Sequence, residues 1–182
     1  MKRHISFLIQ SLKDFRTTGS FIPSQRFLIR ALIKPIPKNA SYLVELGSGE
    51  GCVTRAIERH VNNDCTILSI EINEKLLKMN KSKRPKRIPI NVDAVNIKTH
   101  LDKNKDLNVE CIISSLPFAS IGKNDTHAIL SVIANNLPPE GKFIQYQYSL
   151  LSKNDLKKHF SQVKIKFIPL NIPPAFVYIC KK

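Results

Sequence analysis

At 182 residues, with 42% hydrophobic and 24% charged side chains, the chain has the balance of one globular domain rather than of a disordered tail or of two domains. No stretch of 18 apolar residues occurs, so no transmembrane helix is expected. Lys and Arg number 29 against 14 Asp and Glu, a net charge of +15. The excess alternates: residues 1–40, 72–105 and 141–182 each carry a net +7, and residues 41–71 and 106–140 each a net −3. A polyanionic partner is implied, either an anionic membrane surface or a nucleic acid; charge alone does not choose between them, and a merely soluble basic surface is the alternative. Cys52, Cys65, Cys111 and Cys180 form no CxxC pair and have no histidine at zinc-ligand spacing. They read as free thiols, with no metal site.

Along the chain, Ile5, Leu8, Ile9, Leu12 and Phe15 recur at helical spacing over residues 4–16, with Lys2, Arg3, Lys13 and Arg16 around them. Such a helix either packs over the core or lies in a lipid interface with its cations among anionic headgroups. The same segment imitates a secretory signal, but Gln10, Lys13, Asp14 and Arg16 interrupt it and no small-residue cleavage site follows, so a cytoplasmic protein is expected. Gly19 and Pro23 then break the chain. A second helix is expected over residues 24–33, striped by Phe27, Leu28, Ala31 and Leu32 and stopped by Pro35 and Pro37.

From residue 41 the pattern becomes alternating strands and helices. Strands are expected over residues 42–46, 66–71, 88–92, 109–114, 143–148, 163–168 and 176–180, and helices near 52–61, 73–80, 126–136 and 152–160. This is an α/β pattern: a mostly parallel, seven-stranded twisted sheet of Rossmann-like type, covered by helices on both faces. Residues 1–40 would be an N-terminal helical extension, and residues 41–182 the body of the domain. Residues 78–87 hold six cations in ten positions and read as a solvated loop.

The strongest local signal is Val44-Glu45-Leu46-Gly47-Ser48-Gly49-Glu50-Gly51, directly after the first strand. Glycines at 47, 49 and 51 let the backbone turn sharply and approach a ligand. The spacing is GxGxG, not the GxGxxG of dinucleotide folds, and no GK[ST] ending of a phosphate loop follows. The second strand ends in Glu71, whose carboxylate can accept from both hydroxyls of a ribose. The third leads to Asp93-Ala94, placed to meet an adenine edge.

These three features at successive strand ends resemble motifs I, II and III of the class I S-adenosylmethionine-dependent methyltransferases. The resemblance covers residues 41–150 and implies S-adenosylmethionine as cofactor. It implies that Gly47, Ser48, Gly49 and Gly51 shape the methionine–ribose pocket, that Glu45 orients the loop, and that Glu71 holds the ribose. Ile72, Asp93, Ala94 and Ser114 complete the implied cofactor set.

The flanks narrow the resemblance. Gly19-Ser20-Phe21-Ile22-Pro23-Ser24, Ser114-Ser115-Leu116-Pro117-Phe118, Phe143-Ile144-Gln145-Tyr146-Gln147-Tyr148-Ser149 and Asn171-Ile172-Pro173-Pro174-Ala175 together are similar to the small bacterial phospholipid N-methyltransferases, which act on phosphatidylethanolamine, and the related ornithine-lipid N-methyltransferases. That similarity implies a lipid amine as substrate. It also implies peripheral attachment to the inner face of the cell membrane through the N-terminal helix, with Ile5, Leu8 and Leu12 in lipid. Ser24, Leu116, Pro117 and Phe118 would lie beside the acceptor. The chain departs from the family where Gln25 replaces the second serine of a common PSS. Nucleic-acid adenine methyltransferases carry [ND]PP[YF] after the fourth strand; Ser114–Phe118 keeps a proline and an aromatic but lacks the Asn or Asp.

N-methylation needs a nitrogen lone pair. An amine with a lysine-like pKa of ~10.4 is neutral in only about one molecule in 10³ at pH 7, so the site must desolvate the ammonium or accept its proton. Tyr146, Tyr148, His127 and Asn171 are the candidates, and a tyrosine ring can also face the methylated cation. His127 is expected on a helix without a catalytic role. Two rival readings stay open: an RNA or DNA adenine N-methyltransferase, and a non-catalytic cofactor-binding module.

Overall fold

The computed structural model describes residues 25–82, 84–102 and 108–182; the amphipathic segment with Ile5, Leu8 and Leu12, and Ser24, lie outside the described residues. Helix α1 (Gln25–Ile33) precedes β1 (Tyr42–Leu46), α2 (Cys52–His60), β2 (Thr66–Glu71), α3 (Glu74–Met79) and β3 (Arg87–Asn91). A 3₁₀ turn (Ala94–Asn96) then runs into α4 (Ile97–Asp102), followed by β4 (Cys111–Ser114), α5 (Lys123–Asn136), β5 (Lys142–Gln147), α6 (Lys153–His159), β6 (Gln162–Ile168) and β7 (Ala175–Lys181).

The seven strands form one sheet in the order β3-β2-β1-β4-β5-β7-β6. Strands β1 to β5 pair in parallel, and β7 runs antiparallel to both β5 and β6. The chain builds outward from β1 to β3 and then crosses back to place β4 on the other side of β1. That reversal opens the ligand crevice beyond the carboxyl ends of β1 and β4.

Because side chains alternate along a strand, each buried strand feeds two cores. Tyr42, Val44 and Leu46 of β1 pack with Leu68, Ile112 and Phe143 against Ile97 and Leu101 of α4, Ile129 and Ile133 of α5 and Leu156 of α6. Leu43 points the other way and joins Ile67, Ile113 and Ile144 against Leu28 and Leu32 of α1 and Ala56 and Ile57 of α2. Helix α1 is therefore part of this second core, together with Ile36 and Ala40 beyond its end.

Four details differ from the sequence expectation. The 3₁₀ turn and α4, of three and six residues, were not anticipated. Helix α5 starts at Lys123, three residues earlier than expected, with the Gly122 carbonyl accepting from Thr126 N–H at 2.9 Å. Strand β4 opens only at Cys111. The cationic stretch 78–87 is only in part solvated: Arg84 donates to the carbonyls of Glu58 (3.1 Å), Cys65 (3.3 Å) and Asn62, tying that stretch to α2 and the turn after it. Cys65, Cys111 and Cys180 are buried free thiols and Cys52 is half-buried. Burial pushes the Cys65 thiol up to about 11 and that of Cys180 up to about 12, so neither is a thiolate at neutral pH.

Candidate functional site

The loop after β1 is shaped by its glycines. Gly47, Gly49 and Gly51 all take positive φ, at 74°, 50° and 89°, where L side chains are strained. The N–H groups of Gly47 and Ser48 donate to the Ile70 carbonyl at 2.8 and 3.0 Å, fastening the loop to the end of β2. The three glycines do different work. A Cβ on Gly49 would meet nothing within 4 Å, so this residue faces open space. A Cβ on Gly51 would lie 2.5 Å from Asn80 Cγ, so Gly51 is required by packing rather than by a ligand. A Cβ on Gly47 would lie 3.3 Å from Leu116 Cδ2, which puts the segment after β4 directly against the glycine loop.

Glu71, at the end of β2, is buried and spans this site. Its Oε2 accepts from Gly49 N–H and its Oε1 from Asn73 N–H, both at 2.9 Å. Each oxygen keeps a lone pair for a hydroxyl donor. Asn73 in turn caps α3, its Oδ1 accepting from Lys75 N–H (3.0 Å) and Leu76 N–H (3.3 Å). Ile72 stands half exposed beside Glu71. Asp93 is exposed after β3 and caps the 3₁₀ turn through Val95 N–H at 3.1 Å, with Ala94 buried behind it.

Beneath the loop lies a buried polar network. Glu45 is 0% exposed; its Oε2 accepts from Thr54 Oγ1 at 2.7 Å and Ser69 Oγ at 3.1 Å, while its Oε1 has no partner. Desolvation raises its pKa to about 7, opposed by those two hydroxyls and by Arg87. Arg87 donates to Ser69 Oγ and to the Asn80 carbonyl, each at 3.2 Å, and Asn80 Nδ2 donates to Thr54 Oγ1 at 3.0 Å. Glu45 thus ties α2 to β2, by way of Thr54 and Ser69. Thr54, Ser69, Asn80 and Arg87 carried no sequence assignment.

Beyond β4, Ser115 N–H donates to the Leu46 carbonyl at 2.8 Å and Leu116 N–H to the buried Ser114 Oγ at 3.2 Å. The Leu116 carbonyl receives three donors: Phe118 N–H at 3.0 Å, Gln145 Nε2 at 2.7 Å and Gln147 Nε2 at 2.8 Å. It is saturated, and so it is no acceptor for a substrate amine. Gln145 and Gln147 were quoted in the sequence without a role; two amides pointing inward from a buried strand were the available signal. Pro117 is half-buried. Phe118, expected beside the acceptor, instead belongs to the core, its ring centroid 6.4 Å from that of Phe143.

Tyr146 packs half-buried against the core on the α1–α2 side, and Tyr148 follows β5 at 41% exposure, the rings meeting edge to face at 5.8 Å. Burial, with Tyr148 adding, pushes the Tyr146 phenol far up, so it remains protonated. Asn171 is buried in the β6–β7 loop, where its Nδ2 donates to the Pro173 carbonyl at 2.6 Å and its Oδ1 has no partner. His127 lies on α5 with Nδ1 3.0 Å from His159 Nε2 and Nε2 3.4 Å from Asp155, linking α5 to α6.

An adenosyl–methionine ligand fits what is left open. Gly49 faces free space, Ser48 Oγ and Glu45 Oε1 are buried polar atoms without partners, and Glu71 has lone pairs to spare. Among the described residues no His, Cys, Asp or Glu group could hold a metal ion.

A family model described as a methyltransferase domain matches residues 44–145, from the middle of β1 to the middle of β5. An ornithine lipid N-methyltransferase of Singulisphaera acidiphila is 27% identical over 186 residues, spanning 100% of this chain and 97% of that protein. The solved TehB-like SAM-dependent methyltransferase of Corynebacterium glutamicum superposes with a TM-score of 0.64 at 12% identity, covering 100% of both chains. Human methyltransferase-like protein 13, solved in complex with SAH, superposes at 0.62 with 18% identity, covering 87% of this chain and 78% of that one. At these identities the two structures share the fold.

Proposed function

Because the chain belongs to the methyltransferase-domain family and uses S-adenosylmethionine, we propose that it N-methylates the amine headgroup of a membrane lipid while seated on the inner face of the cell membrane. The substrate would be phosphatidylethanolamine, its methylated forms, or ornithine lipid. The observation that carries this reading is the likeness, end to end, to an ornithine lipid N-methyltransferase. Phe118 adds to it: buried in the core, this ring is withdrawn from stacking on a nucleic-acid base.

Glu71 holds the ribose hydroxyls through the lone pairs that Gly49 and Asn73 leave free, and Ile72 and Asp93-Ala94 flank the adenine. Ser48 Oγ and Glu45 Oε1 gain their missing partners from the polar end of the methionine moiety. When bound, the cofactor supplies an electrophilic methyl carbon on sulfur, and S-adenosylhomocysteine is the leaving product. The chain's own task is to present a neutral nitrogen in line with that carbon. Three groups are assigned to it. Tyr146, near the end of β5, and Tyr148, just beyond it, line the approach, where a ring face offsets the cost of stripping water from a cation. Asn171 Oδ1, buried and unpartnered, accepts an N–H of the amine. The Tyr146 phenol stays protonated and therefore orients rather than deprotonates, so the proton leaves to solvent as the amine is desolvated.

The test is transfer of labelled methyl from S-adenosylmethionine in parallel reactions with phosphatidylethanolamine vesicles, ornithine-lipid vesicles and total RNA. Label in a lipid fraction is expected and names the headgroup. Label in RNA alone would replace this reading with the nucleic-acid one.

A further inference from the structure

Large apolar side chains are exposed at one end of the sheet. In the loop after β5, Leu150 is 46% and Leu151 76% exposed; in the loop between β6 and β7, Leu170 is 60% and Ile172 76% exposed. The register brings these loops together. Gln147, the last residue of β5, pairs with Phe176 of β7, and Ala175 of β7 pairs with Ile168, the last residue of β6. Tyr178 Oη donates to the Ser149 carbonyl at 2.9 Å, holding the first loop over β7. This is the carboxyl end of the parallel strands. In the strand order β1-β4-β5, the patch begins two strand spacings, roughly 10 Å, from the glycine loop.

The patch is bordered by cations. Residues 148–175 contain five lysines and a single acid, Asp155, which faces His127 and Lys158 at 3.4 Å. Lys153 opens α6 just after Leu151, and Lys166 and Lys164 stand exposed on the edge strand β6, two and four residues before its last residue, Ile168. Apolar tips ringed by lysines complement a surface that is apolar inside and anionic outside.

We propose that the β5–α6 and β6–β7 loops are a membrane-seating face. Leu150, Leu151, Leu170 and Ile172 enter the interfacial layer of an anionic bilayer, while Lys153, Lys164 and Lys166 meet its phosphates. The inference rests on the lipid reading above and deepens it. The face lies outside the N-terminal segment and sets the acceptor entrance against the headgroups, so an amine reaches Tyr148 and Asn171 without leaving the bilayer.

The experiment measures co-sedimentation of the full chain with vesicles of phosphatidylethanolamine and phosphatidylglycerol, and with neutral phosphatidylcholine vesicles. The variants are Leu151→Asp/Ile172→Asp and Lys164→Glu/Lys166→Glu; titration with S-adenosylhomocysteine checks that each is folded. The wild type is expected to prefer anionic vesicles. The aspartate pair should weaken partitioning at least tenfold at every salt concentration. The glutamate pair should weaken it by about fivefold or more per residue at low salt, and far less at high salt. Turnover of detergent-dispersed lipid by both should match the wild type. The proposal is overturned if the wild type ignores anionic vesicles, or if both variants partition within twofold of it. It is overturned equally if the aspartate pair only breaks up a dimer, since the face would then belong to a second copy. Binding through this face with no label in any lipid leaves the docking inference standing and removes the substrate reading. Labelled lipid with unimpaired variants does the reverse.

Discussion

Replacing Glu45 with Gln tests the buried network under the glycine loop. Burial lifts the wild-type carboxyl from its ordinary 4.5 to about 7 in a position that is 0% exposed. The folded-state pKa lies above the unfolded one, so the unfolded chain gives up this proton first. The stability that protonated Glu45 preserves is therefore fully present below about pH 4.5 and is lost as pH rises to about 7. A shift of this size corresponds to about 3 kcal/mol in full, and to about 2–3 kcal/mol between pH 5 and pH 8. For a chain of this length that is a fall in Tm of roughly 5–10 °C. Gln keeps an acceptor for Thr54 and Ser69 but does not titrate. Its own cost, an amide set where Oε1 had no partner, is the same at every pH and cancels from the comparison. Thermal and urea unfolding of both proteins at matched ionic strength, from pH 5 to pH 8, should show the wild type losing stability relative to Glu45→Gln. Parallel curves would refute the assignment, because they would mean that the carboxyl is either hydrated or paired with Arg87 strongly enough to ionise normally.

Three further perturbations address the site. Glu71→Ala removes the acceptor of Gly49 and Asn73 N–H along with the group proposed to hold the ribose; S-adenosylhomocysteine affinity measured by calorimetry should fall at least tenfold, with about 2–4 kcal/mol lost in urea stability. Gly51→Ala forces a Cβ onto the Asn80 amide at a φ of 89° and should cost about 2–4 kcal/mol. Asn80→Ala opens that space, so a double-mutant cycle should show the pair costing less than the sum of the singles by about 1 kcal/mol. Gln147→Leu takes one donor from the Leu116 carbonyl and loosens the segment against Gly47. It should lower kcat by about tenfold to a hundredfold while S-adenosylhomocysteine binding stays within twofold, the mark of a positioning residue.

The architecture was legible because it rests on periodicities that a single sequence carries. Runs such as Tyr42–Leu46 and Thr66–Glu71 are mostly apolar on both faces, the pattern of a parallel sheet covered twice, and the structure returns those strands at the same residues. The glycine loop was legible for a related reason: positive φ at 47, 49 and 51 is a local demand that glycine meets. What glycine identity could not convey is which side of the backbone needs the room. Gly49 faces open space, whereas Gly51 gives way to Asn80, a residue 29 positions along the chain that enters by tertiary packing. The buried polar network was invisible for the same reason. Thr54, Ser69 and Arg87 are unremarkable where they stand in the sequence; Thr54 and Ser69 become partners of Glu45, and Arg87 of Ser69, only when α2, β2 and β3 close together. The cation-rich stretch 78–87 shows the limit most clearly. Counted as charge, it is a solvated loop. Traced as donors, Arg84 and Arg87 satisfy carbonyls of Glu58, Cys65 and Asn80, so part of the net charge is bound to the protein's own backbone instead of facing a partner. Net charge therefore overstates the free cationic surface here.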